Sequence, residues 1–155
     1  MRRKDREVTE DSAIRSILEE CTNVKIGFKT EDFPYVVPFS FGLGNDNKNP
    51  TIYIHCAKEG RKIDCLSKDN RVCVEGEIFH RTEKTAYGIT ARYESVIGYG
   101  YITEVVDEEE KIFGLKRICS HYGFADFTVE DCKSRFVTKV YKIELESVTG
   151  KSNLK

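Results

Sequence analysis

Apolar and polar residues alternate along most of this chain, and helical stripes interrupt the alternation. In "TEDSAIRSILEEC" (9–21), Ile14, Ile17, Leu18 and Cys21 recur at i, i+3, i+4 and i+7. That spacing predicts an amphipathic helix, with Thr9 or Asp11 as its cap. "VKIGFK" (24–29) and "YVVPFSFGL" (35–43) follow the two-residue period of half-buried strands, and Pro38 marks the second as an edge strand or a bulge. The turn "GNDNKNP" (44–50) leads into the strand "TIYIHC" (51–56). A short helix follows in "KEGRKIDCLSKDN", with Ile63 and Leu66 facing inward and Asp69-Asn70 ending it.

A strand is predicted over 71–79, a long hairpin or mobile loop over 80–91, and a long strand over 92–106. Gly98 and Gly100 within that strand predict a bulge, a bend or a close approach of another group. The helix predicted over 107–123 has Asp107 and Glu110 as a capping box and Gly123 as its stop. A helical turn near 129–133 and a strand over 136–148 complete the pattern. Six strands and three or four helices without strict β-α-β order predict an α+β, mostly β protein: a six-stranded antiparallel β-barrel with flanking helices. The chain is expected to form a single domain over 1–155, with an N-terminal arm at 1–8 and a polar C-terminal tail at 149–155.

Composition narrows the function. The net charge of −1 argues against nucleic acid, whose phosphates recruit an excess of Lys and Arg. Cysteines stand at 21, 56, 65, 73, 119 and 132, no two of them in CxxC spacing, and no Cys/His cluster resembles a zinc site. No apolar stretch is long enough for a signal peptide or a membrane span. The expectation is a cytoplasmic protein with reduced, core-filling thiols, no metal, and no nucleic-acid or membrane partner.

Candidate chemistry concentrates in "HCAKEGRKIDCL" (55–66), where a strand ends and a helix begins behind Gly60, Arg61 and Lys62. A helix N-terminus presents unpaired N–H groups and partial positive charge, so it attracts phosphate. Gly60 brings no Cβ to block an approaching group, and Lys62 can close on an anion. A plain alternative is a solvated cationic face with a turn glycine. Neither a Walker loop nor a dinucleotide fingerprint is present. His55 has two readings, a proton donor facing a ligand or a strand-end histidine satisfied by backbone. His80 and His121 read as surface residues. Cys56 beside His55 can be read as an activated thiol, but a small buried residue is the preferred reading, because successive strand positions point to opposite faces.

"PYVVPFSFG", "HCAKEGRKIDCL" and "YESVIGYG", in that order, resemble the FMN-binding split-barrel family. The nearest branch is the pyridoxamine 5'-phosphate-oxidase-like set that includes the nitroimidazole-resistance proteins, and the likeness runs from about residue 3 to residue 151. It implies a split β-barrel homodimer with FMN at the subunit interface. Pro38, Phe39 and Ser40 would run along the flavin ring, His55, Cys56 and Ala57 would lie near the ring and ribityl chain, and Lys62 would hold the phosphate. Arg92, Ser95 and Val96 would complete the pocket from the second subunit, and Lys151 of the terminal "TGK" would reach it. Cys56 stands where the family often has Ser, Ser40 where Asn is frequent, and Glu94 where Arg is frequent.

The implied activity is an FMN-dependent oxidoreductase acting on a small acceptor such as a nitroaromatic or 5-nitroimidazole, with His55 as the catalytic candidate. The alternative is a non-catalytic flavin- or haem-binding carrier or sensor. Genuine pyridoxamine-phosphate oxidase is disfavoured: its substrate segment is rich in Arg and Trp, whereas this chain has no Trp and ends in "TGKSNLK".

Overall fold

The computed structural model describes residues 2–46 and 48–154; position 47 of the predicted turn, and positions 1 and 155 of the predicted arm and tail, lie outside the described residues. The alternating runs form one antiparallel sheet: β1 (Glu7–Val8), β2 (Val24–Phe28), β3 (Tyr35–Phe39), β4 (Phe41–Leu43), β5 (Ile52–Ala57), β6 (Arg71–Thr85), β7 (Gly88–Glu104) and β8 (Thr138–Ser152). The helices are α1 (Asp11–Glu20), α2 (Arg61–Lys68) and α3 (Glu108–His121), with short 3-10 turns at Lys4–Arg6, Val129–Asp131 and Lys133–Phe136.

The six predicted strands are therefore eight. The run 35–43 breaks at Ser40, and Glu7–Val8, assigned to the arm, pairs with β8. The break has a physical reason. Phe39 lies opposite Val24 of β2, while Phe41 lies opposite Ile54 of β5, so the run changes partner across one residue. The strand path is β3-β2-β6-β7-β8-β5-β4. Its two end strands are consecutive in the chain, so the sheet rolls round until Ser40 joins its edges. β3 lies at the end of that path, and Pro38, which has no N–H to donate, stands in it.

The interior of the roll is the main core. Val24, Ile26, Phe41, Ile52, Ile54 and Ile143 are all but inaccessible there, and α1 packs Ile14, Ile17 and Leu18 onto them. A smaller cluster lies between the outer face and α3, where Tyr53, Val105 and Val140 meet Ile118. β5 feeds both, with Ile52 and Ile54 facing the main core and Tyr53 facing α3. Strand alternation then assigns His55 to the α3 side and Cys56 to the core side.

Glu10 caps α1 through its backbone without a side-chain bond, in place of the predicted Thr9 or Asp11. Asp107 caps α3 by accepting the Glu110 N–H at 2.8 Å. The Glu110 carboxylate does not return the bond; it accepts from Lys142 and the Tyr53 hydroxyl instead. At the other end Gly123, at φ 84°, lets Phe124 N–H reach back to the Cys119 carbonyl. Residues 80–91 are the far half of the β6–β7 hairpin, paired out to Thr85–Gly88 with His80 as an extra residue. Of the bulge, bend or close approach expected at the β7 glycines, Gly100 shows the close approach, since a side chain there would run into the Glu144 backbone; the bulge beside it is in β8, where Glu146 is left over between the partners of Tyr99 and Gly100. β8 continues to Ser152, so much of the predicted tail is sheet.

Candidate functional site

The mouth of α2 has an open geometry. β5 ends at Ala57, which is exposed, and Gly60 precedes the helix at φ 121° and ψ 171°. A non-glycine residue is strained there, although a Cβ would meet nothing within 4 Å. The Gly60 carbonyl accepts from Ile63 and Asp64, and no side chain caps the helix. The N–H groups of Arg61 and Lys62 thus have no intrahelical partner and point out of a positive dipole end. Arg61 lies over the Tyr35 ring, 4.6 Å from its centroid, and the Lys62 ammonium lies 5.6 Å from the centroid of Phe39. Among the described residues no carboxylate stands within ion-pair distance of Lys62. Burial pushes the Cys56 thiol up, with Lys62 and Lys139 pulling the other way. Phe39, Cys56 and Lys62 therefore come together as expected, and Tyr35 joins them under Arg61.

His55 does not join that group. It lines a cavity of about 170 Å³ on the other face of β5, against Leu115, Ile118 and Cys119 of α3 and the segment that follows it. Part of the residue stays in solvent, yet burial against the wall lowers the imidazole pKa. Pro38 and Ser40, like Ala57, are exposed along the joined edges of the sheet.

The remaining predicted residues occupy the far end of β7 and β8. Ser95 lies directly opposite Lys151, and Val96 opposite Gly150 with its side chain in the core. Arg92 is ion-paired to Glu83 and donates to the Asn153 carbonyl at 3.3 Å. The Lys151 ammonium sits 5.4 Å from the Tyr93 ring centroid. A hydrogen bond from Lys151, with Arg6 nearby, holds the Tyr93 phenol below its ordinary pKa. Tyr93 went unnoticed in the sequence, although it shares a strand face with Ser95 two residues on.

Round the sheet Phe39 shares one cross-strand row with Val24, Gly76 and Val96, about 15 Å end to end, whereas along β8 the Cys56 and Ser95 rows are well separated. Cys56 pairs with Lys139 and Ser95 with Lys151, twelve residues further along β8. That is about 40 Å of strand.

The other histidines also have assigned places. His80 is exposed and pairs with Glu94. His121, expected at the surface, is half-buried; its ring packs 4.3 Å from Phe41, and its Nε2 lies 2.8 Å from the Cys21 carbonyl. A groove of about 540 Å³ runs over the outer face of β2, β3, β6 and β7, lined by Val36, Cys73, Tyr99 and Tyr101. Val36 and Tyr99 expose more than half their surface there. No helix among the described residues is long and apolar enough to cross a membrane.

Comparison with known proteins places this architecture. The sequence model of the family described as pyridoxamine 5'-phosphate oxidase matches residues 10–152. No curated protein sequence matches the chain significantly. A solved structure from Bacteroides thetaiotaomicron, named as a candidate 5-nitroimidazole antibiotic resistance protein, is 32% identical. It superposes with a TM-score of 0.82, over 94% of this chain and 85% of that one. A flavocytochrome from Azotobacter vinelandii gives a TM-score of 0.81 at 18% identity, over 99% and 72% of the two chains. An FAD- and haem-binding protein from Mycobacterium smegmatis gives 0.81 at 13% identity, over 97% and 74%. The last two share the fold.

Proposed function

The chain belongs to the pyridoxamine 5'-phosphate oxidase family, and on that premise we propose that it is an FMN-dependent oxidoreductase of the split-barrel type, cytoplasmic and working as a homodimer. The observation that carries this reading is Lys62: a cation with no acidic partner among the described residues, over an aromatic ring, at an uncapped helix mouth kept open by glycine. Those features fit a phosphate ester, and a flavin mononucleotide brings one. The Lys62 ammonium and the N–H groups at the start of α2 would hold the phosphate. Phe39 and Cys56 would supply an apolar wall, and the exposed stretch Pro38–Ser40 an edge for the ring. Bound flavin supplies hydride and single-electron transfer.

The same geometry supports a site shared between two copies. Along β8, Ser95 and Lys151 lie about 40 Å of strand from the row of Cys56, and on this reading Arg92, Ser95 and Lys151 of a second copy would complete the set. A second copy can bring its Arg92 end to the first copy's Lys62 end. The apolar groove across Val36, Cys73, Tyr99 and Tyr101 gives such a pair a surface to bury. His55, on the opposite face of β5 from Cys56, would lie away from both the phosphate and the apolar wall.

The acceptor class follows the candidate 5-nitroimidazole resistance protein among the similar structures, a small nitroaromatic. The second reading is a carrier or sensor without turnover, favoured by the flavin- and haem-binding proteins that share the fold. The absorption spectrum of the protein as isolated, with cofactor extraction, separates flavin from haem. Reduction of a nitro compound by the flavin-loaded protein with reduced nicotinamide supports the enzyme, and its absence leaves the carrier. Co-expression of Lys62→Ala with Arg92→Ala tests the shared site. A mixed dimer regains one intact site if the two residues come from different copies, and regains none if they come from the same one.

A further inference from the structure

The six cysteines are not equivalent. Cys21 and Cys65 are buried in the main core, where burial pushes the Cys21 thiol up to about 11. Cys56 packs against the same core from β5, and Cys73 faces the outer groove beside Tyr99. Cys119 and Cys132 share one cavity, the 170 Å³ space that His55 also lines. Both are half-buried, so reagents in solvent can reach them. Cys119 belongs to the last turn of α3. Cys132 precedes the 3-10 turn Lys133–Phe136, and its Sγ lies 3.0 Å from the Ser134 hydroxyl. Among the described residues no group of three or more His, Cys, Asp or Glu side chains is placed to hold a metal ion.

From this placement we infer that Cys132 and Cys119 form a thiol redox pair, in which a hydroperoxide oxidises Cys132 and Cys119 resolves the product to an intramolecular disulfide. The two thiols differ in the direction this chemistry needs. The Ser134 hydroxyl and backbone N–H, then the Arg135 backbone N–H and guanidinium charge, hold the Cys132 thiol below its ordinary pKa. Burial, and then the charge of Cys132 itself, push Cys119 up. Cys132 is the nucleophile and Cys119 the resolving thiol. The Cys132 thiolate attacks the terminal peroxide oxygen; an S–O bond forms, the O–O bond breaks, and the alkoxide (hydroxide, for hydrogen peroxide) leaves to be protonated as the alcohol or water. Cys119 then loses its proton and attacks the Cys132 sulfur; the S–S bond forms, the S–O bond breaks, and water leaves. Two thiols are oxidised and one peroxide is reduced. The disulfide would tether the segment after α3 across the His55 cavity.

The proposal stands apart from the flavin reading, because neither thiol belongs to the Lys62 group. It is tested on the wild-type protein, treated with one equivalent of hydrogen peroxide, alkylated and digested. Free thiols should fall from six to four, with a Cys119–Cys132 linked peptide lighter by two hydrogens. In Cys119→Ser the same treatment should leave a sulfenic acid on Cys132 that dimedone traps. A linkage between other cysteines or between copies, or dimedone capture at Cys56 or Cys73 before Cys132, overturns the assignment. So does peroxide treatment that leaves all six thiols free.

Discussion

Two sets of cations, one at the mouth of α2 and one at the Lys151 end of β8, are treated differently by the fold. At the mouth of α2, Lys62 rests over Phe39 with no carboxylate in reach among the described residues. At the Lys151 end, Arg92 is held by Glu83 and the Asn153 carbonyl, and Lys151 is drawn to Tyr93. A cation that the fold leaves without an acid has its Coulomb energy available to a ligand. A cation already paired must exchange partners, so a ligand gains only the difference. On the proposed reading, the Lys62 end would grip the anion and the Arg92 end would position.

Four experiments press on that contrast. Gly60→Ala should have the largest effect. It forces a side chain onto φ 121° and should cost about 1–3 kcal/mol of stability while reshaping the α2 mouth. Thermal unfolding reads the first effect and FMN titration the second. Lys62→Ala should keep the fold and weaken FMN binding by about tenfold or more, the loss of one charge-assisted phosphate contact; unchanged affinity would remove Lys62 from the site. Arg92→Ala should weaken FMN binding by no more than about fivefold, because the residue is already committed to Glu83. A larger loss than for Lys62→Ala would invert the comparison.

The smallest effect concerns His55, which lies outside both groups. Burial lowers its pKa in the folded chain, so the unfolded chain takes up the proton first as pH falls. Stability should therefore decline as pH drops through the ordinary histidine range, near about 6.5. In His55→Asn the melting temperature should vary less between pH of about 7 and 5, with the rest of the curve unchanged. An identical pH profile would place the ring in bulk solvent.

The architecture was legible because alternation is a local signal. Val24, Ile26 and Phe28 announce β2, and Ile14, Ile17 and Leu18 announce α1, with no knowledge of their partners. The break at Ser40 was not legible. It arises because Phe39 and Phe41 choose different partners, an outcome fixed by tertiary pairing rather than by the pattern of 35–43. The candidate site divides the same way. Gly60 and Lys62 stood out by their place before a helix. The separation of His55 from Cys56 followed from the two-residue period, but what each face meets did not. That depends on α3, which packs across β4 and β5 from more than fifty residues away in sequence. The strand distance along β8 between the Cys56 and Ser95 rows was invisible as well, because it depends on the register of β8 with both β5 and β7.

The junction at Ser40 also bears on self-association. Exposed sheet edges invite pairing with other molecules. Here the two edge strands are successive stretches of one chain, so neither can be withdrawn without pulling on the other, and Pro38 leaves a gap in the donors of β3. Straightening residues 35–43 would unroll the sheet and free both edges at once. The opened chain could then exchange this segment with a neighbour. The closing of this sheet's two edges onto each other thus passes through a single residue, Ser40.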